Sequence, residues 1–124
     1  MRCPCGVGAA YEECCSRLHR GDAQAATAAQ LMRARYSAYA TGDVSYLLRS
    51  WDPATRPPRL ELDPTLRWTQ LEVLATTGGR LLDTEGTVEF RAHHEQHGRA
   101  GVLHEHSRFA RAGGRWVYVG PSTS

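Results

Sequence analysis

The chain has 124 residues, of which 41% are hydrophobic and 23% are charged, and its formal net charge is +2. This length suits one domain with its own core, and the composition excludes wholesale disorder. The 15 basic residues, all arginines, are scattered from Arg2 to Arg115, so no nucleic-acid partner is indicated. No apolar run approaches the roughly 20 residues needed to span a bilayer, and no export signal precedes Cys3. We expect a cytoplasmic protein with no membrane contact.

The first distinctive feature is a group of four cysteines near the amino terminus: Cys3, Cys5, Cys14 and Cys15. Residues 1–21 are poor in aliphatic side chains and need a cross-link to fold. Gly6 and Gly8 allow the connection to reverse, so that two close cysteine pairs can present four thiolates to a tetrahedral Zn²⁺ ion. The pattern C-x-C-x₈-C-C therefore predicts a structural zinc site. Crossed disulfides, free thiols and a redox-active Cys14–Cys15 pair are the alternatives, with His19 as an alternative ligand.

Helical periodicity follows the cysteine segment. Apolar residues from Ala25 to Tyr39 form one stripe at about 100° per residue, and this first helix is predicted to end near Gly42. Asp43 is a good N-cap for a second helix that runs to Trp51. Residues 52–64 are rich in proline and predict a surface loop.

Beyond the loop, the apolar period changes from the helical value to two. Glycine-containing turns separate four segments, which predict a meander of antiparallel strands: Leu66 to Thr77, Thr84 to Gln96, Arg99 to Arg111 and Arg115 to Gly120. Two helices followed by four strands indicate an α+β fold.

The cysteine segment resembles a known zinc motif. The sequences CPCGVG at 3–8 and YEECC at 11–15 are similar to the SEC-C motif found at the C-terminal end of the SecA translocase. The rest of the chain resembles the YchJ family of small bacterial proteins in four blocks: LMRARYSAY at 31–39, DVSYLLRSWDP at 43–53, EHSRF at 105–109 and GRWVY at 114–118. The resemblance implies a SEC-C-like zinc knuckle at 1–21 and an α+β cone domain like nuclear transport factor two at 22–120. The short polar segment 121–124 predicts a disordered tail.

The third predicted strand carries a carboxylate on its apolar face. Alternation places Glu105 and Ser107 on the same side as Leu103 and Phe109. A buried carboxylate needs a cation or a solvated cavity, and Arg35 on the first helix is the predicted partner. Two interpretations stay open, an internal Arg35–Glu105 pair or a polar pocket for a small molecule. The candidate pocket residues are Glu105, Ser107, Arg35, Tyr36 and Trp51.

Other chemistry-bearing residues favour simpler interpretations. His104 and His106 share a strand face and can chelate a metal, but no third ligand can be assigned, and surface histidines on an antiparallel sheet are the favoured interpretation. No nucleophile next to a base and no phosphate-binding loop can be identified, so no catalytic residue is assigned. Glu105 is the general base if the pocket is catalytic.

The sequence as a whole favours a zinc-binding adaptor whose knuckle binds a protein partner. The alternative is a small-molecule-binding protein or an enzyme that uses the polar pocket inside the cone. The implied cone fold also allows a homodimer through the sheet.

Overall fold

The computed structural model describes residues 1–122 and has the predicted α+β architecture. Its elements are a 3₁₀ turn (Tyr11–Glu13), helices α1 (Cys15–His19), α2 (Ala28–Thr41) and α3 (Val44–Arg49), and strands β1 (Leu66–Gly78), β2 (Glu85–Gln96), β3 (Arg99–Ala112) and β4 (Arg115–Pro121). The strands form one antiparallel meander in the order β1-β2-β3-β4. Register shifts in β1 and in the β3–β4 pair mark β-bulges, which help to curve the sheet around α2.

Polar caps set the bounds of α2 and α3. The Thr27 hydroxyl accepts a 3.1 Å hydrogen bond from the Gln30 amide, so α2 begins at Ala28 rather than at the predicted Ala25. Gly42 ends α2 in the left-handed conformation, with φ of 78°. Asp43 then caps α3 as predicted, because its carboxylate accepts from the Tyr46 amide at 3.0 Å.

Helix α3, the second of the two predicted helices, is shorter than the sequence predicts. It ends at Arg49, and Trp51 lies outside it, paired with Tyr118 of β4 in an isolated bridge. Tyr118 N donates to Ser50 O at 2.9 Å, and Asp52 N donates to Tyr118 O at 2.8 Å. These two backbone bonds to the sheet replace the bonds that a further helical turn would make.

Helix α2 is buried on both sides rather than along one stripe. Met32 and Tyr36 of the predicted stripe are buried, as are Leu31, Ala34 and Ser37 on the remaining surface. The sheet packs on one side of the helix. The N-terminal segment, residues 1–21, packs on the other and contributes Cys3, Cys5, Cys15 and Leu18 to the same hydrophobic core.

Two further predictions concern the tail at the carboxyl terminus and the absence of a membrane-spanning helix. Of the tail predicted at 121–124, Pro121 belongs to β4, and Ser122 N donates to His106 O at 2.6 Å. Residues 123–124 of that tail lie outside the described residues. Within residues 1–122, no helix has the length and apolarity needed to cross a membrane.

The β1–β2 hairpin is held against the start of α2 through a glycine contact. Ala28 N donates to Gly79 O at 2.9 Å, and Gly79 has φ of 69°. A Cβ on Gly79 would lie 2.6 Å from the Ala28 Cβ, a distance that real side chains do not reach. Gly79 is therefore required both by its conformation and by the close approach of helix and hairpin.

We predict that Gly79→Ala destabilises the fold more than Gly98→Ala. Gly98 also has positive φ, at 77°, but a Cβ there meets no atom within 4 Å. The two variants share the conformational cost, and only Gly79→Ala adds overpacking, which contributes roughly 1–3 kcal/mol. Urea unfolding measures the difference. Equal losses of unfolding free energy would contradict the proposed helix–hairpin contact.

Candidate functional site

The four cysteines form one compact cluster. Their sulfur atoms all lie within 4.8 Å of one another, and the Sγ atoms of Cys5 and Cys14 are 3.7 Å apart. Ligands of a tetrahedral ion with metal–sulfur bonds of about 2.3 Å are separated by about 3.8 Å. None of the four cysteines is in a disulfide. The cluster thus has the composition and the approximate spacing to hold a metal ion.

Backbone hydrogen bonds fold the connection between the cysteine pairs. Cys3 N donates to Ala9 O at 2.9 Å, and Gly6 N donates to Cys3 O at 3.2 Å. Gly6 and Gly8 have φ of 86° and 91°, which allows the tight reversal that their position predicts. The 3₁₀ turn then leads into Cys14 and Cys15, so that the second pair returns to the first.

Burial and mutual hydrogen bonding divide the thiols into two kinds. A hydrogen bond with Cys15 is the main reason that the pKa of Cys5 is lowered to about 5. The same contact is the first cause of the raised pKa of Cys15, and burial raises the pKa of Cys14 to about 11. One thiolate is thus stabilised by its thiol neighbours. Additional thiolates in this cluster require a compensating cation.

Helix α2 contacts the cysteine cluster through two polar side chains. The Cys3 sulfur lies 3.4 Å from the Ser37 hydroxyl, and Arg33 Nη1 donates to Cys5 O at 3.2 Å. Cys3, Cys5 and Cys15 are at most 4% exposed. Three of the four cysteines are therefore part of the packed interior.

His19 is not part of the cluster, so the alternative that it acts as a ligand is wrong. Its Nε2 donates to Ala34 O at 2.8 Å, which leaves Nδ1 as the acceptor of the Tyr11 hydroxyl at 2.6 Å. Arg49 also donates to the backbone carbonyl of His19. His19 instead ties α1 to α2 through Nε2 and to the 3₁₀ turn through Nδ1.

A second candidate site is a cavity of about 180 Å³ between α2 and the sheet. Its lining is mostly aromatic and aliphatic, with a few polar groups: Met32, Arg35, Tyr36, Tyr39, Trp68, Phe90, Ala92, Leu103, Glu105, Ser107 and Tyr118. Four of the five predicted pocket residues are among them. Trp51 is not; its ring lies 4.8 Å from the guanidinium carbon of Arg35, beside the cavity wall.

The predicted Arg35–Glu105 pair does not form. Arg35 Nη1 donates to Leu47 O at 2.8 Å and to the Ser50 hydroxyl at 2.7 Å, at the C-terminal end of α3. Its guanidinium is also 4.5 Å from the centre of the Tyr118 ring. Arg35 therefore ties α2 to α3, because the carbonyl end of a helix and two aromatic faces stabilise its charge.

Glu105 finds its partners within the sheet. Its Oε2 accepts from the Tyr118 hydroxyl at 3.0 Å and from the Ser107 hydroxyl. The pKa of Tyr118 is raised, mainly by burial and secondly by the charge of this carboxylate. The phenol therefore stays a donor. The sequence predictions omitted Tyr118 from the pocket. The sequence contained a signal for Tyr118. This residue lies on the predicted strand next to the one that carries Glu105, and side-chain alternation places it on the opposite face from Val117.

The histidine-rich part of the sheet shows no comparable cluster. His104 Nε2 lies 2.7 Å from Glu89 Oε2, and both His104 and His106 are exposed. Within residues 1–122, the cysteines are the one group of three or more metal-ligand side chains that come together.

Known proteins are similar to this chain in sequence and fold. Residues 27–121 match the model of the YchJ middle domain, described as NTF2-like. The UPF0225 protein SCO1677 of Streptomyces coelicolor is 57% identical over 117 residues, which are 94% of this chain and 91% of that protein. A UPF0225 protein of Cupriavidus metallidurans is 49% identical over 123 residues, covering 94% of this chain and 85% of its own.

Solved structures agree with these relatives. The solution structure of RPA3114, a SEC-C motif containing protein from Rhodopseudomonas palustris, has a TM-score of 0.86 and 33% identity, and the match covers 100% of this chain and 99% of that one. A SEC-C motif containing protein from Psychrobacter arcticus has a TM-score of 0.78 and 28% identity, with 98% and 82% covered. By sequence, fold and cysteine cluster, this chain belongs to the UPF0225 family of YchJ-like proteins.

Proposed function

We propose that the cysteine cluster holds one structural zinc ion and that the loop it orders is a binding surface for another protein. The observation that carries the zinc site is the convergence of four sulfur atoms within 4.8 Å. Four thiolates complete a tetrahedral shell and leave no open position for a substrate, which is the arrangement of structural rather than catalytic zinc. A soft all-sulfur ligand set favours zinc over magnesium or calcium.

The zinc ion would stabilise more than the N-terminal segment. Since Cys3 contacts Ser37 and Arg33 binds the carbonyl of Cys5, the segment covers a side of α2 that is otherwise apolar. Loss of the ion frees the segment and exposes that side to water. Binding free energy at the cluster is therefore folding free energy for α2 as well.

The connection between the cysteine pairs is the proposed protein-binding surface. Gly6, Val7 and Gly8 are exposed, and Val7 leaves 53% of its surface accessible. The ion fixes the ends of this connection, so a partner would bind a loop that is already ordered and pay less conformational entropy. An apolar side chain at the tip of an ordered loop is a suitable anchor for such a contact.

A second candidate function is the binding of a small molecule in the cavity. The cavity of about 180 Å³ combines apolar walls with a few polar groups, which is the usual make-up of a ligand site. Apolar cavities of roughly 150 Å³ accept benzene in other proteins. A ligand with a single ring is thus the appropriate size.

We predict that Cys14→Ser abolishes stoichiometric zinc binding. Wild-type protein purified under reducing conditions should contain one equivalent by elemental analysis, and the variant far less. Loss of the ion should lower the unfolding free energy by about 3 kcal/mol or more. Ser16→Ala is the control, because Ser16 is buried in α1, two residues after Cys14, but does not belong to the cysteine cluster. Wild-type protein without zinc, or a full equivalent of zinc in Cys14→Ser, would exclude the proposed four-cysteine zinc site.

Val7→Asp is expected to remove the protein-binding function while zinc stays bound. The change places a charge in the proposed contact and leaves the four ligands intact. Leu82→Asp is the matched control, since Leu82 is 91% exposed in the connection between β1 and β2. A partner cross-linked to the zinc-loaded wild type and to Leu82→Asp should be recovered at least about tenfold less with Val7→Asp. Equal recovery with both variants would rule out the loop as the contact.

Ala92→Phe is expected to block the cavity. Ala92 is 3% exposed and lines the cavity, so the larger ring occupies the ligand volume. Toluene, titrated into wild-type protein and followed by the NMR signal of the Trp68 indole, should bind with a dissociation constant of about 1 mM or below. Ala100→Phe, at an exposed position of β3, should behave as wild type. Unchanged toluene binding by Ala92→Phe would show that the ligand lies elsewhere.

A further inference from the structure

Two opposite charges line the cavity without pairing. Arg35 is 3% exposed, and no carboxylate of the described residues forms an ion pair with it. Burial lowers the pKa of Arg35, and the neighbouring Tyr39 hydroxyl offsets part of that effect. A carbonyl, a hydroxyl and two aromatic rings stabilise this cation, but no anion among residues 1–122 neutralises it, so the cavity has room for the negative charge of a ligand.

Arg35 retains hydrogen-bonding capacity toward the cavity. Both of its hydrogen bonds to α3 leave from Nη1. The other guanidinium nitrogens, Nε and Nη2, remain for the Tyr39 hydroxyl and for a ligand. A planar guanidinium presents these N–H groups in a geometry that matches a carboxylate.

Glu105 offers the complementary group. Ser107 and Tyr118 both donate to its Oε2, which holds the carboxylate in place. Its Oε1 receives no hydrogen bond from the described residues and belongs to a side chain that lines the cavity. This oxygen is therefore an available acceptor for an ammonium or N–H group.

Aromatic side chains form much of the remaining wall. The Trp68 ring lies 6.2 Å from the ring centres of both Tyr36 and Tyr39, in edge-to-face contacts. Phe90 and Leu103 line the same cavity. Such a wall favours an apolar or aromatic body, and the cavity volume of about 180 Å³ limits that body to about one ring.

We propose that the cavity selects a small zwitterion of the amino-acid type, with its carboxylate at Arg35, its ammonium at Glu105 and its apolar side chain among the aromatic rings. A ligand with one charge would use the remaining hydrogen-bonding groups of one of the two residues and leave those of the other without a partner. A zwitterion matches both and adds no net charge. This inference depends on the small-molecule function proposed above.

Four probes with a similar body and different charges test the inference: phenylalanine, phenethylamine, 3-phenylpropionate and toluene. Each is titrated into the zinc-loaded protein and followed by NMR. We expect phenylalanine to bind at least about tenfold more tightly than each of the other three, because only phenylalanine supplies both charged hydrogen-bonding groups.

Glu105→Gln provides the variant test. It should weaken phenylalanine about tenfold and also weaken phenethylamine, without weakening 3-phenylpropionate. Glu89→Gln is the matched control, since Glu89 lies on β2, pairs with His104 and does not line the cavity. Thermal unfolding of each variant reports whether the fold is retained, and toluene binding reports whether the cavity is intact.

The outcomes separate this inference from the function on which it rests. Equal affinities for all four probes, or a preference for phenethylamine or 3-phenylpropionate alone, would overturn the zwitterion selection and leave small-molecule binding standing. No binding of any probe, toluene included, would overturn both. Phenylalanine binding that Glu105→Gln does not weaken, in a folded variant that still binds toluene, would also overturn the inference.

Discussion

The burial of α2 on both sides is the constraint on which the rest of the structure depends. Leu31, Ala34 and Ala38 are at most 2% exposed, so this helix cannot lie on the surface of a sheet with one side in water. The sheet covers one side, and the N-terminal segment covers the other through Cys3 and Cys5. That segment has few aliphatic side chains, and its four clustered cysteines could hold a metal ion that keeps it in place.

The same helix connects the two candidate sites. Ser37 faces the cysteine cluster, whereas Arg35 and Tyr36 line the cavity. Arg35 also joins three parts of the fold, because its side chain bonds to α3 and packs between the rings of Trp51 and Tyr118. The polar end of the cavity is thus built from groups that also hold the helices on the sheet, so these groups are kept in fixed positions.

Several features followed from local sequence alone. The spacing of the cysteines predicted the cluster, and Asp43 predicted the start of α3, because both depend on residues close together in the chain. Turn glycines separated the strands correctly for the same reason. The end of α3 was wrong by two residues. Its end depends on hydrogen bonds to Tyr118, which lies far away in sequence and leaves no local signal at Trp51.

By itself, the sequence determined the cysteine cluster, the α+β order of elements and the face of β3 that carries Glu105 and Ser107, since periodicity and spacing encode these directly. Only the tertiary structure decided the partners. Arg35 bonds to α3 and Glu105 to Tyr118, where charge complementarity alone had predicted that they pair with each other. The reason is that a buried charge can be stabilised by carbonyls, hydroxyls and aromatic faces as well as by an opposite charge, and the three-dimensional packing determines which of these is within reach.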